Sequence, residues 1–190
     1  MKCNSIVILA AAALGACPLS GQKADPFSAE IKQMYDHVKN NVTKLAERMP
    51  EEHYNFKPTA ETRTFGQIVA HVADVQTRTC SAINGPPKSL NAGLKTAKAE
   101  LVAALKESFS LCDQAFDSLT DSNAFETFMM PEGQHHIRAG LLVMAVVSHS
   151  DEEYGYMAVY LRLKGLVPPS SDAKEGSRAA TGPAGKPRDL

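Results

Sequence analysis

The chain has 190 residues and a formal charge of −1, with Lys, Arg and the acids spread along its length. That balance leaves no basic stripe for nucleic acid and no acidic tail, so the chain carries no electrostatic support for nucleic-acid binding. Tryptophan is absent and β-branched runs are scarce, whereas Ala, Leu, Glu and Lys fill the middle segments, which makes helix the expected secondary structure.

Residues 1–21 read as an export signal: Lys2 supplies the positive start, Ile6 to Leu14 the apolar stretch, and Gly15 and Ala16 the small residues before cleavage. The stretch is too short to span a bilayer stably. Leu14-Gly15-Ala16-Cys17 is similar to a lipoprotein box, with Cys17 as the lipidated residue; cleavage after Ala16 or Gly21 by ordinary signal peptidase is the competing reading. Both place the mature protein outside the cytoplasm, periplasmic or secreted, and lipid-anchored if Cys17 is modified. From residue 170 to 190 the chain turns to Ser, Gly, Ala, Lys and Pro without an apolar period, the composition of a disordered tail. Between these ends, residues 25–169 are expected to form one domain, and roughly 140 residues suffice for one core.

Four helical segments can be read there from the apolar period. The first runs from about Ser28, a candidate N-cap, to Met49, and puts Ile31, Met34, Tyr35, Val38, Val42, Leu45 and Met49 on one face before Pro50 stops it. After a loop with an extended Lys57-Pro58 step, the second runs from about Thr64 to Ile83 and is ended by Asn84-Gly85-Pro86-Pro87. The third spans about Leu94 or Thr96 to Leu119, with Leu101, Leu105, Phe109, Cys112 and Phe116 in phase. The fourth spans about Arg138 to Lys164 and is capped by Gly165. The expected fold class is therefore all-α, a four-helix bundle.

Two polar residues interrupt the apolar stripe of the last segment. His149 and Glu153 stand one turn apart among Leu142, Ala145, Val146, Tyr156, Met157 and Tyr160, and His71 occupies a comparable stripe in the second segment. An unsatisfied polar group in a core costs ~1–3 kcal/mol and an uncompensated charge more, so all three need partners. Two imidazoles and a carboxylate form the ligand set of hydrolytic zinc centres and of non-haem iron centres, and one divalent ion would satisfy the trio. Taken singly, His71 reads as a hydrogen-bonded core histidine and His149 with Glu153 as an i, i+4 pair; taken together the three favour metal. Glu152 lies ~100° around the helix from Glu153 and is the poorer ligand. His135 and His136 read as a loop pair, His37 and His53 have no ligand nearby in sequence, and Tyr154 and Arg162 read as packing or surface residues with cavity lining as the alternative.

The strings that carry these residues resemble a known family. Phe56-Lys57-Pro58-Thr59-Ala60-Glu61-Thr62-Arg63-Thr64-Phe65-Gly66-Gln67-Ile68-Val69-Ala70-His71-Val72-Ala73 is similar to the entry into the second helix of the DinB-like superfamily. His149-Ser150-Asp151-Glu152-Glu153-Tyr154-Gly155, with Tyr160-Leu161-Arg162-Leu163-Lys164-Gly165-Leu166-Val167-Pro168-Pro169 behind it, is similar to that family's last helix and exit. The resemblance implies a DinB-like bundle, often a homodimer, with a long crossover that makes helices two and three parallel. It also implies a metal site of one histidine from helix two and a His-x-x-x-His pair from helix four. His71 and His149 match two of those ligands, and Glu153 stands where the third histidine is usual. On this basis the expected metal ligands are His71, His149 and Glu153, and the expected cofactor is a divalent ion, zinc or nickel ahead of iron or manganese. The expected activity is metal-dependent transfer or hydrolysis on a small, thiol-containing or other, molecule. The competing readings are a non-catalytic envelope-associated module in which the trio is a structural network, and a lipid-anchored partner domain. Parallel helices also bring Cys80 and Cys112 into range, leaving two outcomes open, a disulfide or two separately buried thiols.

Overall fold

The computed structural model describes residues 25–130 and 132–172. The long helices are α1 (Pro26–Arg48), α2 (Phe65–Asn84) and α3 (Lys98–Asp117), and a two-stranded antiparallel hairpin, β1 (Thr127–Met129) and β2 (His135–Ile137), precedes the last helical arm. That arm is α4 (Arg138–Leu142), a π-helical stretch (Val143–Ser148) and α5 (His149–Leu163), which follow one another without a break. The expected all-α bundle is what forms. The expected export segment at residues 1–21, with Cys17, lies outside the described residues. Among the described residues no helix is long and apolar enough to cross a membrane.

Each helix follows from local chemistry. In α1, Ile31, Tyr35, Val38, Val42 and Leu45 are buried as their period requires, as is Met49 at the C-cap, while Met34 stays 46% exposed at the edge of the stripe. Ser28 is not the N-cap. The helix begins at Pro26, whose missing N–H suits the first turn. The Ser28 hydroxyl instead donates to the Asp121 carboxylate at 2.8 Å, tying α1 to the turn after α3. At α2 the cap is a reciprocal pair: Thr64 Oγ1 accepts from the Gln67 N–H, and Gln67 Oε1 accepts from the Thr64 N–H. Gly66 lets the helices approach closely there, since a Cβ would meet Leu101 Cδ1 at 3.2 Å and Tyr54 O at 3.3 Å.

The crossover from α2 to α3 is held from α2 itself. Asp74 accepts from the N–H groups of Ala92 and Gly93 at 2.8 and 3.0 Å, and Ser81 Oγ accepts from the Lys88 N–H. This grip, with Asn91 in the left-handed region at φ 48°, delays α3 to Lys98 and leaves Leu94 in a short turn, 86% exposed. The two helices run parallel, since Gly66 faces Leu101, Gln76 faces Ser108 and Asn84 reaches Leu111. Cys80 and Cys112 accordingly meet with Cα atoms 4.9 Å apart and form a disulfide. Between the helices, Gln76, Ser108 and Ser150 of α2, α3 and α5 join into one buried chain of hydrogen bonds.

At the far end Gly165, at φ 73°, turns the chain so that the Leu166 N–H reaches Leu161 O. The fold continues through Asp172, three residues into the stretch expected as tail. Tyr154 donates to Ser170 Oγ, Arg162 to Ser171 Oγ, and Arg48 grips the Asp172 carboxylate. Tyr154 and Arg162 thus fasten the exit segment. The remainder of the expected tail lies outside the described residues.

Candidate metal centre

The candidate site is built from the start of α5, the first half of α2 and the loop before it. The π-helical stretch ends at Ser148, directly before His149, and such widened turns occur often at functional sites. From α5, His149 and Glu153 then project one turn apart toward His71 of α2. His149 Nε2 lies 3.1 Å from His71 Nε2, and Glu153 Oε1 lies 3.7 Å from His71 Nε2 and 3.8 Å from His149 Nε2. The three residues form the one His/Cys/Asp/Glu group among the described residues whose candidate ligand atoms converge, all within 4.8 Å of one another. His135 and His136 do not join it: they lie in β2, a strand and not the loop expected from sequence. His37 pairs instead with Asn41 at 3.0 Å. Glu152 is exposed and accepts from the Tyr156 hydroxyl, so it faces away from the trio.

A hydrogen-bonded explanation of the trio leaves atoms unaccounted for. If one imidazole donates to the other, the Glu153 oxygens still stand too far from either ring to be bonded. Glu153 is 4% exposed, and its Oε2 has no partner. His149 Nδ1 is likewise buried and unpaired; among the described residues the other buried orphans are Thr79 Oγ1 and Arg138 Nε. Donors bound at ~2.0–2.1 Å around a tetrahedral ion stand about 3.3 Å apart, so spacings of 3.1, 3.7 and 3.8 Å are close to those of a ligand set. The donor chemistry therefore fits a divalent ion. Such an ion accounts for both Nε2 atoms and the Glu153 carboxylate; it does not supply the acceptor that His149 Nδ1 lacks.

The electrostatics of the site favour neutral imidazoles. Burial lowers the His71 pKa, with Arg63 and His149 lowering it further against Asp74, and burial lowers that of His149. Burial raises the Glu153 pKa, while the nearby Arg63 guanidinium opposes the rise. Neutral rings have free lone pairs for a cation, and a buried carboxylate is stabilised when one arrives.

Sequence reading did not single out Arg63. It precedes the Thr64 cap, and its carbonyl accepts from the Tyr160 hydroxyl at 2.8 Å, which fixes this loop residue to α5. Its Nη1 lies 3.7 Å from Glu153 Oε1. A cavity of about 450 Å³ opens beside them, lined by Glu61, Thr62, Arg63, Ile68, Glu153, Tyr156 and Tyr160. Tyr156, expected on the buried stripe, is 52% exposed and forms part of this wall.

Solved structures share the architecture. The chain is similar to a DinB-like protein from Bacillus cereus ATCC 10987, with TM-score 0.60 and 16% identity over 74% of this chain and 95% of that one. It is also similar to an uncharacterised protein from Escherichia coli UTI89, with TM-score 0.56 and 11% identity over 73% of this chain and 95% of that one. At these identities the likeness shows the fold. No curated protein matches the chain. A family model described as the DinB superfamily matches residues 34–157, which include His71, His149 and Glu153, and the chain belongs to that superfamily.

Proposed function

We propose that this is an exported DinB-superfamily metalloprotein in which His71, His149 and Glu153 hold one divalent ion, and that it carries out metal-assisted transfer or hydrolysis on a small molecule. The observation that carries the reading is the convergence of three ligand-capable side chains from two helices, with the buried Glu153 carboxylate partnerless on Oε2 and beyond hydrogen-bond distance of both rings. A divalent ion held there supplies Lewis acidity, lowering the pKa of a coordinated water or thiol toward neutrality and polarising a carbonyl. The protein's own contribution is placement. The α2 and α5 backbones fix the imidazoles, burial keeps them neutral, and the adjoining cavity admits a small substrate on the Glu153 side. Zinc and nickel are the first ions to supply, with iron and manganese next.

A second reading rests on the Arg63 to Glu153 approach of 3.7 Å. In it the guanidinium serves as the counter-ion and the trio is a structural network without catalysis. Calorimetric titration of metal-free protein with Zn²⁺, Ni²⁺ and Mn²⁺ separates the two. The metal reading expects one site per chain that is lost in His71→Ala, and absence of saturable binding for every ion leaves the structural network.

A further inference from the structure

The Arg63 guanidinium is placed for a task that the fold does not use. Its backbone is anchored through Tyr160, but its side chain is 55% exposed, and the approach of Nη1 to Glu153 at 3.7 Å is an ion-pair distance beyond hydrogen bonding. Glu153 Oε1 is therefore shared: the two imidazoles face it from the bundle and Arg63 faces it from the cavity. Without an ion, Arg63 and Glu153 cancel and neutral histidines add nothing. With a divalent ion the same group would carry a net double positive charge, opposed by Glu61 on the cavity wall and by Glu152, whose charge acts on His149 and Glu153 from the neighbouring position of α5. Arg63 is the cation among the described residues that line the cavity, exposed and beyond hydrogen-bond distance of Glu153, and an anion is its complementary ligand.

The form of the anion follows from the walls. A guanidinium is a planar fork that matches a carboxylate through two parallel hydrogen bonds. Ile68, Tyr156 and Tyr160 supply apolar and aromatic surface beside it, and about 450 Å³ holds a small molecule. We propose that Arg63 is the substrate-recognition residue of this cavity, and that the substrate class is a small carboxylic acid with a short apolar or aromatic body. This deepens the metalloprotein reading and rests on it.

The test uses the full-length protein with metal content measured by mass spectrometry before each titration. Aliphatic and aromatic monocarboxylates of graded length, each paired with its neutral amide, are titrated by calorimetry into wild type, Arg63→Gln and Arg63→Lys. At least one acid binds the metal-loaded wild type in preference to its amide, and Arg63→Gln weakens that binding about ten- to hundredfold, the worth of a hydrogen-bonded charged pair. Arg63→Lys, which keeps charge but not the fork, falls between. Both variants retain the ion and the fold, since Arg63 is not a ligand and the Tyr160 bond is to its backbone. Acids that bind no better than amides, or equally well to Arg63→Gln, overturn the proposal while leaving the metal centre standing. Wild type that takes up no metal overturns both.

Discussion

Two polar clusters lie little more than a turn apart between α2 and α5, and they are finished differently. In the inner one, Gln76 donates to Ser150 Oγ at 2.9 Å and accepts from Ser108 Oγ at 3.0 Å, so both ends of a fully buried amide are used. In the outer one, built on His71 and on His149 beside Ser150, the carboxylate is bonded to neither ring and the group borders an open cavity. A closed cluster specifies how helices pack and needs nothing further. A cluster in which the two rings stand within hydrogen-bond distance while a carboxylate oxygen stays unpaired has room for a ligand. The same two helices thus carry a closed polar site and a candidate ligand site, and which residues belong to which can be tested by breaking each in turn.

The largest contrast is expected from the outer cluster. His149→Ala or Glu153→Ala should reduce metal affinity by more than the ~10–100-fold that loss of an outer-shell partner costs, because a direct ligand is removed. Competition against a chromophoric chelator measures it, with little change in unfolding of the metal-free protein. The inner end should respond in the opposite way. Replacing both Cys80 and Cys112 by Ser opens the disulfide between α2 and α3 and should lower the stability by about 2–4 kcal/mol in denaturant titration. Gln76→Leu should follow at about 1–3 kcal/mol, since Ser108 and Ser150 lose partners, while metal stoichiometry stays at the wild-type value.

The smallest effect is a pH dependence of the metal-free protein. His71 and His149 have folded-state pKa values below the ordinary 6.5, so the unfolded chain binds protons first as pH falls. Stability is therefore fully present above that unfolded value and declines as pH drops through it. Glu153, raised by burial, titrates in the opposite sense at lower pH, so the measurement belongs in the Glu153→Gln background. Urea midpoints between pH 7.5 and 5.5 should fall less steeply once His71 or His149 is also replaced by Ala. An unchanged slope would show that the rings are not held neutral by burial.

Much of this division was legible in the residues. The four helices came from apolar spacing strong enough to survive small errors at the ends, and the trio stood out because charged and imidazole groups interrupted an apolar stripe. The Gln76 cluster was not found, because an amide and two serines on helices separated in sequence give no periodic signal. The strands around His135 are three residues each, too short for alternation to register. Ser28 looked like a cap from its position, but Pro26 starts the helix earlier and Asp121, far along the chain, claims the hydroxyl. Widening of the helix at Val143–Ser148 has no signature in the apolar period, and Tyr156, in regular helix three residues after Glu153, falls at the edge of the buried stripe beside the cavity. A lone arginine before a cap reads as surface, and only the fold sets Arg63 against Glu153.

Glu153 decides the account. Metal analysis of protein purified with zinc or nickel supplied, wild type beside His149→Ala and Glu153→His, tests it most directly. One ion per chain in wild type and in Glu153→His, with none in His149→Ala, is the predicted result. Stoichiometric metal only in Glu153→His would contradict it, by showing that the carboxylate has replaced the ion's third ligand without taking over its role.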